Sequence, residues 1–165
     1  TFPCRFMLVC AMNPCKCGYY PDKKKCTCSE NQVKQYRGKL SQPLLDRIDI
    51  CIELGAVSYT EWFSDRVYEK SDVIRERVCR ARKRYANENF KTNALIPSSK
   101  IEAYCSLGKY EKELMVSAFQ GMELSGRGYH RILKVARTIA DMDEADLIQD
   151  THLCEALSYR SVEVR

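Results

Sequence analysis

The stretch that decides the fold begins Cys10-Ala11-Met12-Asn13-Pro14-Cys15-Lys16-Cys17-Gly18-Tyr19-Tyr20 and continues Pro21-Asp22-Lys23-Lys24-Lys25-Cys26-Thr27-Cys28. After a polar interval it closes with Arg37-Gly38-Lys39-Leu40-Ser41-Gln42-Pro43-Leu44-Leu45-Asp46-Arg47-Ile48-Asp49-Ile50. The continuous apolar run over residues 5–11 predicts a strand buried on both faces, as in a parallel sheet. Pro14 disfavours helix at Asn13 and cannot donate to a ladder. Asn13 is therefore expected at the carboxyl tip of that strand, where open α/β sheets bind ligands. A plain turn role is the alternative. Residues 48–54 alternate apolar and acidic and predict a second strand, stopped at Gly55. The two strands are expected to pair with each other, or the first with another copy of the chain.

Between them lie four of the chain's ten cysteines, Cys15, Cys17, Cys26 and Cys28. Two Cys-x-Cys pairs joined by a reversing Pro21-Asp22-Lys23 turn offer four soft ligands. Four convergent thiolates suit tetrahedral Zn²⁺ with no open position, so a structural metal is expected. A redox dithiol pair or an iron–sulfur site is the alternative. Lys16, Lys23, Lys24 and Lys25 lower the thiol pKa values and offset the negative charge. The remaining cysteines (Cys4, Cys10, Cys51, Cys79, Cys105, Cys154) read as small buried hydrophobes.

The composition fits this picture. Hydrophobic residues make up 45% of 165 and charged residues 30%, which suits a soluble globular chain. No apolar run approaches the roughly 20 residues that span a bilayer, and no secretory signal is visible, so a cytoplasmic location with no membrane partner is expected. The opening Thr1-Phe2-Pro3-Cys4 reads as a cut inside a larger protein. A net charge of +5 permits a polyanionic partner without demanding one.

Helical punctuation accounts for much of the rest. Ser29 and Gln32 match a capping box, predicting a helix to about Tyr36 that breaks at Gly38. Pro43 in a first turn predicts a short helix ending near Asp46. Tyr59, Trp62 and Phe63 are expected to pack a connector down. Ser71-Asp72 reads as an N-cap, with Ile74, Val78, Ala81 and Tyr85 as the inward stripe. Ser99 and Glu102 read as a second capping box for a helix through Tyr104. Residues 109–120 predict a helix with Leu114, Ala118 and Phe119 inward, and residues 129–142 another with Ile132, Leu133, Ala136, Ile139 and Ala140 inward. A last helix is expected from Thr151 to about Tyr159. The expected fold is an α/β fragment over residues 1–55, a connector over 56–70 and an all-α bundle over 71–165, mostly helical overall.

Three blocks point to a family: C-A-M-N-P-C-K-C-G-Y-Y from Cys10, Y-R-G-K-L-S-Q-P-L-L-D-R-I-D-I from Tyr36, and G-Y-H-R-I-L-K-V-A-R-T-I-A-D from Gly128. They resemble the YifB/ComM family of magnesium-chelatase-like AAA+ ATPases, in the carboxyl-terminal portion from sensor 1 to the lid. The resemblance covers nearly the whole chain, with residues 57–99 contributing little. It implies the last strands of a P-loop core followed by a helical lid. It also implies that Asn13 is sensor 1, orienting the water that attacks the γ-phosphate. Arg47 becomes the arginine finger, acting in trans on a neighbouring subunit; a surface pair with Asp46 or Asp49 is the bland alternative. Arg127 becomes sensor 2, the lid arginine at a helix start that contacts the γ-phosphate, with Arg131 one turn on as its competitor and His130 as structural.

The implied cofactors of the full-length protein are ATP and Mg²⁺, and the implied partners are other copies in a hexameric ring and DNA. The work implied is branch migration in recombination, with Lys16, Lys23, Lys24, Lys25, Arg37 and Lys39 available to phosphates. One departure is decisive for this chain: it contains no G-x-x-x-x-G-K-[ST], so it is expected neither to bind ATP tightly nor to hydrolyse it by itself. The competing readings are the motor subunit of a metal chelatase and a zinc-stabilised binding module without motor activity.

Overall fold

A computed structural model describes residues 6–55, 57, 59–63, 68–86 and 88–160. The chain divides into two compact units, one ending at Leu45 and the other running from Asp46. It is mostly helical, and no strand forms among the described residues.

In the first unit the run from Phe6 to Asn13 is irregular rather than a ladder strand. Its side chains are uncovered, with Met7 87% and Val9 79% exposed. Residues 48–54 likewise form no strand, and Ile52 and Leu54 are exposed. Neither predicted strand forms among the described residues. The periodicity that marks a central strand carries no partner with it; a strand exists only where neighbouring chains take up its amides and carbonyls. Downstream, local signals suffice. Helix α1 spans Glu30–Arg37, and Ser29 and Gln32 close the expected capping box at 3.3 and 2.9 Å. Val33 is its buried residue, and Gly38 ends it. Pro43 lies in the single turn α2, Gln42–Leu45.

The second unit contains the core. The single turn α3, Tyr59–Trp62, is not packed down as expected: Tyr59 and Trp62 are about three-quarters exposed, and Tyr59 stacks on Phe63, at 4.5 Å between centroids. Helix α4 spans Ser71–Lys83. Its N-cap is Lys70, so Ser71 and Asp72 lie one step inside the helix, where Asp72 suits the positive end of the helix dipole. Of the expected stripe only Tyr85, just beyond the helix, is buried; Val78 and Ala81 are half-buried and Ile74 is exposed.

Helix α5, Ile101–Tyr104, is entered through the 3₁₀ turn Ser98–Lys100, and the Ser99/Glu102 capping box does not form. The tighter entry puts Lys100 at the cap position instead. Helix α6, Lys109–Gly121, buries Met115, while Phe119 stays 42% exposed. Helix α7, Gly126–Met142, buries Ile132, Leu133, Ala136 and Ala140 as expected, with Ile139 partly covered. It starts three residues earlier than the sequence suggests because Ser125 caps it, accepting from the Gly128 amide at 3.1 Å. The Gly126-Arg127-Gly128 triplet is thus its first turn. Helix α8, Asp150–Ser158, packs Leu153 and Ala156 against α7.

A polar knot lies inside this bundle. The Asp141 carboxylate accepts from Arg137 Nε at 2.9 Å, Tyr85 Oη at 3.0 Å and Asn93 Nδ2 at 2.8 Å. Arg137 also donates to the Asp146 and Ala145 carbonyls at 2.8 and 2.6 Å. Burial, and then the Asp141 charge, push the Tyr85 hydroxyl pKa well up, so it remains a donor.

Candidate functional site

The cysteine loop belongs to the first unit. Gly18 takes φ +86°, a backbone state that costs other residues energy, and its amide closes on the Cys15 carbonyl at 3.1 Å. Asp22 makes the reversal. Its side chain accepts from the Lys24 amide at 2.9 Å, and its carbonyl accepts from the Cys26 amide at 2.8 Å. The result brings Cys15, Cys17, Cys26 and Cys28 together with all four Sγ atoms within 4.8 Å. Cys15 lies 3.3 Å from Cys17 and 3.8 Å from Cys26. A tetrahedron of bonds of about 2.3 Å places its sulfurs about 3.8 Å apart, so these residues fit a tetrahedral metal.

The electrostatics agree. The Tyr19 amide, and the Thr27 amide with it, hold the Cys17 thiol down to about 5 despite desolvation. For Cys26 the balance is reversed: the Cys28 amide favours the thiolate, but desolvation and the adjoining Cys17 and Cys15 sulfurs outweigh it and push the pKa up to about 12. Four thiols this close cannot all ionise unless a cation joins them.

The outer cysteines depart from the sequence reading. Cys105 is buried and Cys51 half-buried, but Cys10, Cys79 and Cys154 are exposed. Cys4 lies outside the described residues.

Asn13 is exposed beside this loop, and a Cβ on Gly18 would lie 3.6 Å from its Nδ2. Arg37 braces the loop from α1: its Nε donates to the Pro14 carbonyl at 3.2 Å, and its guanidinium lies 5.0 Å from the centre of the Tyr20 ring. Arg37 is therefore a brace for the loop. Lys16, Lys23, Lys24 and Lys25 are exposed.

The predicted arginines lie in the second unit. Arg127 is exposed in the first turn of α7 and has no hydrogen-bond or ion-pair partner among the described residues. It lines an open cleft of 460 Å³ with Ser98, His130, Arg131 and Lys134. Arg131 is committed elsewhere: Nη1 donates to the Arg47 carbonyl and, at 2.8 Å, to Asp49 Oδ1. Arg47 is exposed.

Lys134 continues the basic stripe one turn on and donates to the Ala94 carbonyl at 3.0 Å. Desolvation lowers its pKa, with the Arg131 charge adding to the fall. Its spacing from Arg127 and Arg131 made it legible in the sequence. Arg160 was not: it reaches Asp46 and Ile48 across the fold, with no local signal.

The model of the magnesium chelatase subunit ChlI C-terminal family matches residues 68–160, more than half of the chain. The model of the magnesium chelatase subunit ChlI family itself matches residues 1–62. The chain belongs to the YifB/ComM family of magnesium-chelatase-like proteins. Its relatives in that family include the uncharacterized protein YifB of Escherichia coli K12, 38% identical over 99% of this chain and 32% of the relative. Competence protein ComM of Haemophilus influenzae is 40% identical over 98% of this chain and 32% of its own length. The chain thus spans about a third of the length of the curated relatives it matches. No helix among the described residues is long and apolar enough to cross a membrane.

Proposed function

We propose that this chain is the sensor, arginine-finger and lid half of a ring-forming AAA+ ATPase, and that the full-length protein is a DNA motor working in recombination. The observation that carries this reading is the contrast between Arg127 and Arg131. Arg127 projects from the capped start of a 17-residue helix into an open cleft, with no partner among the described residues. First-turn amides and the positive end of the helix dipole favour a phosphate there. Arg131 is already held by Asp49 and the Arg47 carbonyl. On this reading Arg127 is the lid arginine that contacts the γ-phosphate, with Arg131 as the alternative.

In this reading Asn13 orients the attacking water, and Arg47 serves the neighbouring subunit's nucleotide. The irregular run 6–13 and residues 48–54 are strands of the P-loop core when the sheet that covers them is present, giving the division into core (1–55), connector (56–70) and lid (71–165). ATP and Mg²⁺ are the cofactors of the full-length protein, bound chiefly by residues outside this chain, and other copies of the protein form the ring. Cys15, Cys17, Cys26 and Cys28 hold structural Zn²⁺, which pins the loop beside Asn13. The exposed Lys23, Lys24 and Lys25 contact DNA phosphates.

Steady-state ATPase kinetics on the full-length protein test this. Arg127→Ala is expected to raise KM for ATP and lower kcat, and Arg47→Ala to lower kcat by about 10³-fold. Unchanged kinetics in Arg127→Ala overturn the sensor assignment. For DNA, Lys23/Lys24/Lys25→Ala is expected to weaken binding and flatten its salt dependence by roughly 0.9 per lysine removed; unchanged binding rejects the contact.

A further inference from the structure

Two arginines, 29 positions apart in the sequence, grip the four residues around Arg47. Arg160 donates from Nη2 to Asp46 Oδ1 and from Nη1 to the Ile48 carbonyl, both at 3.2 Å. Arg131 donates from Nη1 to the Arg47 carbonyl and, at 2.8 Å, to Asp49 Oδ1. Both carboxylates and the two intervening carbonyls are thereby taken. One step on, the Cys51 amide donates to the Tyr159 carbonyl at 3.0 Å, beside Arg160.

The Arg160–Asp46 pair is largely covered, at 11% and 26% exposed, and Arg131 is 24% exposed although its partner Asp49 is 55% exposed. It is the added bonds to the Arg47 and Ile48 carbonyls that set this pairing apart from an isolated surface ion pair. A guanidinium fork that bonds a carboxylate and a carbonyl together fixes direction as well as distance. Asp46 and Arg47 lie outside every helix and precede the 48–54 strand proposed for the full-length protein, so these bonds fix the direction of the backbone at Arg47.

The same side chains touch the start of α7. Arg131 is one turn after Arg127 on that helix. Gly128, next to Arg127, faces Arg160: a Cβ there would come within 3.4 Å of Arg160 Nη2 and 3.4 Å of the capping Ser125 Oγ. The Arg160 guanidinium thus lies close beside the helix start.

We infer that Arg131 and Arg160 are positioning residues that fasten the Arg47 segment to helices α7 and α8, so that Arg47 travels with the helix carrying Arg127. The inference rests on the reading of Arg47 as the trans-acting finger and Arg127 as the phosphate-sensing lid arginine. It makes the lid a lever. Phosphate drawn to Arg127 moves α7, and α7 moves the backbone on both sides of Arg47, which faces a different nucleotide. One subunit's occupancy is then felt at its neighbour's site through a rigid body rather than a flexible loop.

ATPase kinetics on the full-length protein, with subunit mixing, test this. Arg131→Met and Arg160→Met are each expected to lower kcat about tenfold to a hundredfold, the cost of misplacing a catalytic group by an ångström, with KM for ATP unchanged. Arg47→Ala/Arg131→Met should be no slower than Arg47→Ala. Mixed with Arg127→Ala subunits, Arg131→Met subunits should recover turnover, because the former supply a sound finger to the latter's sound site. Mixed with Arg47→Ala subunits, they should not.

If Arg47→Ala alone turns over at the wild-type rate, the finger reading fails and the inference falls with it. If Arg47→Ala is slow but Arg131→Met and Arg160→Met are at wild-type rate, the inference alone fails. A raised KM, a further loss added to that of Arg47→Ala, or no recovery with Arg127→Ala subunits marks general lid damage and also overturns it.

Discussion

Replacing Arg137 by Met keeps the side-chain length inside the bundle and removes its charge. The structure gives the cost. Asp141 is 4% exposed and loses the two closest of its charged contacts, Arg137 Nε at 2.9 Å and Nη2 at 2.8 Å. Arg84 Nε, at 3.4 Å and on a side chain 35% exposed, is a poor replacement. Tyr85 and Asn93 still donate, but neither neutralises a carboxylate. The Ala145 and Asp146 carbonyls lose their Arg137 donors as well.

Breaking a buried pair by removing one partner costs about 3–5 kcal/mol, because the remaining charge is left without compensation. At about 4 °C per kcal/mol for a domain of this size, the melting temperature falls by roughly 12–20 °C. Thermal and urea unfolding of this chain, followed by near-ultraviolet circular dichroism, measure it. The decisive comparison is Arg137→Met/Asp141→Leu. It removes the orphaned charge and is expected to melt above Arg137→Met alone, although it has lost more polar contacts. A single variant within about 3 °C of wild type, or a double variant that loses the sum of the two single effects, refutes the reasoning.

The remaining predictions concern the cysteine loop and ATP turnover. The chain is expected to carry one zinc per molecule by elemental analysis; Cys15→Ser or Cys26→Ser should abolish it and loosen protection of residues 13–28 in hydrogen exchange. In the metal-free chain at pH 6, iodoacetamide should label Cys17 before Cys26, as read by peptide mass spectrometry. The depressed Cys17 pKa contributes stability that is present above the ordinary thiol pKa and is lost as the pH falls through about 5, so its labelling should fade there. Gly18→Ala should cost about 1 kcal/mol through its φ of +86°, seen as weaker metal retention against a chelator. This chain alone is expected to show no ATP turnover; clear hydrolysis would mean that a phosphate cradle exists outside the G-x-x-x-x-G-K-[ST] pattern.

What the sequence determined was what a few neighbouring residues decide among themselves. Ser29 and Gln32 close their capping box because both partners lie within one turn. The apolar stripe of α7 is buried where its period places it. The two Cys-x-Cys pairs converge because Asp22 and Gly18, both inside the loop, make the reversal. Only tertiary structure decided the rest, because the deciding partner was far along the chain. The 6–13 run reads as a buried strand, yet burial requires a sheet that no local pattern contains. Arg131 and Arg127 are near-equivalents in the sequence, four residues apart on one helix. Both line the same open cleft, but Asp49 and the Arg47 carbonyl, more than 80 residues away, meet the Arg131 guanidinium and not that of Arg127.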